Sequence, residues 1–166
     1  MKVSIQVTGG EALSNAFKDV ESGMLDLRKL STWKVVAAEF RTILKEIFAG
    51  EGTGSKSGHW APLSQPYAAY KLRRWGEVPI LQASGRMYES LTKRGDKDAV
   101  YEETASELTM GTQIPYSRYH QTGTRKMPAR KPVDLTEEHT RRLGSVIVRK
   151  IRQLATNARL RSLKRG

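Results

Sequence analysis

The apolar residues of this chain change their spacing repeatedly, and that alternation limits the fold more than any single motif. Val3, Ile5 and Val7 alternate with Ser4, Gln6 and Thr8, the two-residue period of a strand covered on one face. After Gly9-Gly10 the spacing widens to three or four. Leu13, Phe17, Val20, Met24, Leu27 and Leu30 predict a helix weakened near Gly23. Between Ser31 and Ala49 a second helix is predicted by the continuous stripe Trp33, Val36, Ala37, Phe40, Leu44, Ile47 and Phe48, with a hydroxyl residue at its start to cap it. Two short helical patterns follow, around Tyr67 to Trp75 and around Leu81 to Leu91, separated by Gly76 and Pro79. The two-residue period then returns. Val100 to Glu103 and Glu107 to Met110 flank the short polar connection Thr104-Ala105-Ser106 and predict a hairpin, and a further short strand is expected through Val133 and Leu135. The pattern as a whole predicts an α+β domain, a small antiparallel sheet packed with helices and ending in a long basic helix.

A chain of 166 residues is most simply one domain. It contains no cysteine, which excludes disulfides, thiolate metal sites and cysteine nucleophiles. No apolar run is long enough to cross a bilayer, and MKVSIQVTGG lacks the apolar centre of a signal peptide, so a soluble protein made in the cytoplasm is expected. The net charge of +12 favours polyanionic partners, and its placement is uneven. From Arg118 onward there are 14 Lys and Arg against three acids, whereas the first 117 residues are almost balanced.

Much of that excess belongs to the final helix. Thr136 can cap it, and Glu137 and Glu138 occupy the first turn, where the helix dipole favours negative charge. With successive residues about 100° apart, Leu143, Ile147, Ile151, Leu154 and Ala158 share one face, while Arg141, Arg142, Arg149, Arg152 and Arg159 share the opposite one. No acid follows Glu138. Arg142, Arg149, Arg152 and Arg159 are therefore expected to face either nucleic-acid phosphates or an acidic partner protein, against the plain alternative of a solvated face.

Chemistry is sparse elsewhere. His59, His120 and His139 lack the spacing of metal ligands, no GxSxG elbow is present, and no catalytic residue, metal or cofactor is expected. The stretch 50-GEGTGSKSGH-59 carries four glycines but lacks the Gly-Lys-Ser ending of a phosphate loop and follows a helix. It is expected to be a mobile surface loop, either a plain connection or one that orders against a neighbouring subunit. Trp60, Tyr67, Tyr70 and Trp75 could stack on bases, although packing of a small helix onto the domain is the expected role. In 116-YSRYHQTGTRKMPAR-130, Tyr116, Tyr119 and His120 have helical spacing, Gly123 can end that helix in a left-handed conformation, and Pro128 fixes the exit. His120 could donate to a carbonyl across this corner. The corner holds no nucleophile with a base.

The order 58-GHWAPLS-64, Tyr70-Lys71, 80-ILQASGRMYESL-91 and 115-PYSRYHQTGTRKMPAR-130 resembles the virion-morphogenesis, or tail-completion, family of tailed bacteriophages, over about residues 1 to 135. The remaining residues, 136 to 166, form the basic helix and tail of the same domain. The resemblance implies a small non-enzymatic structural protein at the head-tail junction of the virion, assembled in the host cytoplasm. It implies a ring of identical subunits, a hexamer by family likeness, with connector or tail-tube proteins as neighbours and packaged DNA as a further possible contact. It also suggests that Trp60, Pro62 and Leu63 anchor the glycine loop, that Leu81, Ser84, Gly85 and Leu91 form a packed helix, and that Pro115, Tyr116, His120, Gly123, Pro128 and Arg130 build the corner. After Arg130 the family tends to continue into an aromatic residue, where this chain has Lys131-Pro132-Val133. The competing expectation is a basic nucleic-acid-binding protein outside any virion, using the arginine face of the last helix.

Overall fold

In a computed structural model of the chain, the described residues are 1–6 and 31–163. Strand β1 spans Lys2–Gln6, and helix α1 spans Thr32–Ala49. Helix α2 (Gln65–Trp75) and helix α3 (Arg86–Thr92) precede the hairpin of β2 (Ala99–Glu103) and β3 (Glu107–Thr112). Helix α4 (Ser117–Thr122) and helix α5 (Glu137–Leu163) complete the order. The helix expected from Leu13 to Leu30 lies outside the described residues. Among the described residues no helix is long and apolar enough to cross a membrane.

The sheet has the order β1-β3-β2 and is antiparallel throughout, with Val3 opposite Met110 and Tyr101 opposite the same Met110 on the other side. Its central position 111 has to be glycine. A Cβ there would lie 2.0 Å from the Met1 carbonyl oxygen and 2.8 Å from the Lys2 Cα, so any side chain would push β1 away.

Helix α1 is the spine of the core. Nine of its residues are buried, among them Trp33, Phe40, Ile43, Leu44, Ile47 and Phe48, each with essentially no exposed surface. They pack against Leu143, Val146 and Ile147 of α5, Met87 and Leu91 of α3, and Leu108 and Met110 of the sheet. At about 1.5–3 kcal/mol for each large apolar side chain removed from water, this one helix, with eight of the twenty buried apolar residues among the described residues, is the largest single contributor to the core. The Trp33 Nε1 donates to the Thr104 carbonyl at 2.8 Å and joins the start of α1 to the hairpin turn.

Three local expectations are corrected. Ser31 takes a left-handed conformation, φ 54°, and makes no side-chain cap for α1. The helix foreseen from Leu81 begins only at Arg86, because Leu81 (φ 63°) and Gly85 (φ 71°) both leave the right-handed region. Ser84 is exposed and a Cβ on Gly85 would meet nothing within 4 Å, so Gly85 serves a turn and not close helix packing. Val133 and Leu135 form no strand; the chain there is irregular, with Val133 buried and its carbonyl accepting the Gln121 side-chain amide at 2.7 Å.

The start of α5 behaves as its sequence requires, with an addition. The His139 amide donates to Thr136 Oγ1, and the Thr136 amide donates back to His139 Nδ1, both at 3.2 Å. This is a reciprocal cap with histidine in the place usually held by Glu or Gln.

Candidate functional site

The corner singled out in the sequence closes one side of an open cleft of about 840 Å³. Tyr116, just before α4, and His120 within it face the cleft, and the return stretch supplies Met127, Pro128 and Arg130. The opposite walls come from Pro62 and Leu63, from Tyr67, Lys71 and Trp75 of α2, and from Leu81 in the turn before α3.

The corner itself is fixed through its backbone. Gly123, at φ 75°, donates its amide to the Tyr119 carbonyl and ends α4. A Cβ at this position would lie 2.9 Å from the Ala129 nitrogen, so glycine is required by both conformation and space. Thr124 and Met127 exchange backbone hydrogen bonds, and the Arg130 amide donates to the His120 carbonyl at 2.8 Å. The Arg130 side chain then reaches across the fold. Its Nε donates to the Ala61 carbonyl at 2.6 Å and an Nη to the Pro62 carbonyl at 2.8 Å. Arg130 is the clamp between the corner and the segment after the glycine loop.

Burial lowers the Arg130 pKa, and the same cause lowers that of Lys71, whose ammonium donates to the carbonyls of Val78 and Pro79 at 2.5 and 2.7 Å. Among the described residues neither cation forms an ion pair; carbonyl oxygens satisfy them instead. Two largely buried positive charges thus stand beside the cleft; the Glu51 carboxylate partly offsets the effect of burial on Lys71, without an ion-pair contact. His120 Nδ1 is buried and has no hydrogen-bond partner, in place of the carbonyl contact expected from the sequence. Burial and, secondarily, the Arg130 charge lower its pKa, which favours the neutral ring. Its ring meets Tyr116 edge-on, with centroids 6.0 Å apart.

The aromatic side chains of α2 depart from expectation. Only Trp60 packs into the core, with its ring edge-on to Phe48 and its Nε1 donating to the Lys131 carbonyl at 3.1 Å. Tyr67, Tyr70 and Trp75 remain 44%, 49% and 37% exposed and touch one another, Tyr70 and Trp75 edge-on at 5.6 Å. Lys71 is the one buried residue of α2. The lysine ties the helix to the turn that follows it, while the rings stay partly exposed, Tyr67 and Trp75 along the cleft.

The glycine stretch, expected to be mobile, is held by its backbone. The Trp60 amide donates to the Glu51 carbonyl at 2.7 Å, the Ser57 amide to the Asp134 carboxylate at 2.6 Å, and the Lys56 amide to the Asp134 carbonyl at 3.2 Å. Gly52 passes so close to Trp60 that a Cβ would lie 2.6 Å from the indole. Trp60 anchors this loop from the core, whereas Pro62 is exposed and Leu63 half-buried at the cleft.

The arginines assigned to one face of α5 divide. Arg142 turns onto α1, where it donates to Glu39 at 2.7 Å and to Glu46 at 2.6 Å, so it is committed within the chain and does not face outward. Those hydrogen bonds raise its own pKa and lower that of Glu46. Arg149 and Arg152 are exposed, and the side chain of Arg159 lies outside the described residues. Among the described residues, no group of three His, Asp or Glu could hold a metal ion.

The sequence pattern of the phage virion morphogenesis family matches residues 9–152. The chain belongs to that family. The match covers most of the chain and continues beyond residue 135 into α5, so Arg142, Arg149 and Arg152 fall within it and Arg159 does not. Membership ties the protein to the building of a phage virion and to a structural kind of protein. Comparisons with curated proteins and with solved structures return no match.

Proposed function

We propose that this protein is a non-enzymatic component of the head-tail junction of a tailed phage, a tail-completion or neck protein that assembles as a ring of identical subunits, six by family likeness. The observation that carries this reading is α2, a helix with three exposed aromatic rings beside an open cleft whose buried cations donate their hydrogen bonds to carbonyls. Exposed Tyr and Trp around a partly desolvated pocket are the anchors that protein interfaces use. The proposed occupant is a second copy of the chain, since contacts that repeat head to tail between identical subunits close into a ring when the rotation allows. In this assembly Arg149 and Arg152 of α5 are offered to the adjoining connector or tail component.

The test is mass in solution by light scattering at low and moderate salt, followed by the triple variant Tyr67→Ser, Tyr70→Ser, Trp75→Ser. A ring for the native chain and a folded monomer for the variant are expected. A variant that keeps the full ring would remove the cleft from the interface. Head-tail joining is tested by Arg149→Glu with Arg152→Glu in the phage, where separate heads and tails should accumulate; normal infectious particles would refute that part.

A further inference from the structure

A second groove, of about 780 Å³, lies on another part of the molecule between α1, the turn after α3 and the start of β2. Lys34, Arg41 and Lys45 line one wall and Lys93 and Arg94 the other, with Asp96 as the single acid. Among the described residues none of the five cations makes an ion pair. Arg41 lies over the ring of Tyr101 at 5.8 Å. Burial lowers its pKa, Tyr101 works against that shift, and the neighbouring Arg94 adds to it, so two like charges lie close together in the groove.

Helix geometry orders one wall. Positions 34, 41 and 45 are seven and four residues apart and therefore share a face of α1. At about 1.5 Å per residue they cover roughly 16 Å, the axial length of about five nucleotides of one duplex strand. Ala37 and Ala38 lie between them and keep the floor low. The acids of the same helix point elsewhere, Glu39 and Glu46 being bound by Arg142 on the α5 side. The groove has no large apolar anchor apart from Tyr101, in contrast to the aromatic cleft, and this favours a charged backbone over a folded protein surface as the occupant.

We propose that this groove binds the phosphate backbone of nucleic acid, with Lys34, Arg41 and Lys45 following one strand and Lys93 and Arg94 closing the other side. Contact of this kind does not read sequence. It is independent of the ring, and it assigns DNA contact to α1 and not to the arginines of α5.

The experiment measures binding of a 30-base-pair duplex of arbitrary sequence by fluorescence anisotropy from 50 to 200 mM salt. Five phosphate contacts predict a loss of roughly 500-fold in affinity across that fourfold range, from a slope of about 0.9 per contact in log affinity against log salt. In Lys34→Gln, Lys45→Gln, Arg94→Gln the loss should shrink to about tenfold, with an unchanged melting temperature and oligomer mass. Arg41 is left in place because it packs on Tyr101. The control Arg149→Gln, Arg152→Gln should keep the native salt dependence. If the control loses the salt dependence and the groove variant keeps it, the assignment is overturned in favour of α5. Binding of a poly-glutamate peptide without measurable binding of duplex would overturn it in favour of an acidic protein partner.

Discussion

The two sides of α1 and α2 follow opposite rules. Around α1, apolar side chains are buried and Arg142 is matched by the carboxylates of Glu39 and Glu46. Around α2, the rings are exposed and the buried residue is a lysine held by two carbonyls. The first arrangement stabilises a single chain. The second leaves the aromatic surface of Tyr67, Tyr70 and Trp75 partly exposed, and it is this surface that the proposed ring would cover.

Substitutions can break this comparison, beginning with the core. Phe40→Ala should lower stability by about 3–5 kcal/mol, measured by denaturant unfolding, because it opens a cavity among side chains with no exposed surface. A loss below about 1 kcal/mol would mean that α1 is not the spine. Arg130→Met should cost about 2–3 kcal/mol, since the carbonyls of Ala61 and Pro62 lose a charged donor. A lysine at that position should recover only part of the loss, as one ammonium cannot reproduce the two-nitrogen reach.

A smaller effect of about 1 kcal/mol is expected for His139→Ala, through loss of the reciprocal cap. Its pH dependence has a defined sign. Nδ1 accepts the Thr136 amide and must be unprotonated, and burial with the nearby Arg142 holds the folded pKa below its ordinary 6.5. The contribution is therefore complete above pH 6.5 and lost as pH falls through the depressed value. Thermal melts of native and variant chains should converge under acid conditions; a constant gap from pH 8 to pH 4 would contradict the cap. The smallest change belongs to the exposed rings. Tyr70→Ser with Trp75→Ser should alter monomer stability by less than about 0.5 kcal/mol while shifting the mass distribution toward monomer. A destabilisation comparable to that of Phe40→Ala would erase the distinction between the two regions.

The backbone of this fold was legible wherever the period was clean. The stripe of α1, the hairpin with its Thr104-Ala105-Ser106 turn and the capped start of α5 all follow from residue spacing. The turn before α3 was not, because an apolar residue such as Leu81 gives no sign that its own φ will be positive. Arg142 was misplaced for another reason: a helical wheel orders directions around one axis, but a long guanidinium stem can reach around it to acids on a neighbouring helix. The basic groove was hidden by averaging. The first 117 residues are nearly neutral as a sum, yet α1 sends Glu39 and Glu46 one way and Lys34, Arg41 and Lys45 another. In the corner, Gly123 and Pro128 were legible as turn residues, whereas the reach of Arg130 to residues 61 and 62 spans too much sequence for any local pattern to reveal.

Glu51 ties the cleft to the glycine loop. Directly after α1, at φ 47°, it accepts the Trp60 amide on its carbonyl and the Ile80 amide on its carboxylate at 2.7 Å each. Two segments that are distant in sequence therefore hang from one residue just past the end of α1, one from its backbone and one from its side chain. A substitution that removes the Glu51 carboxylate would therefore free the cleft wall at residue 80 while leaving the backbone hold on Trp60 in place.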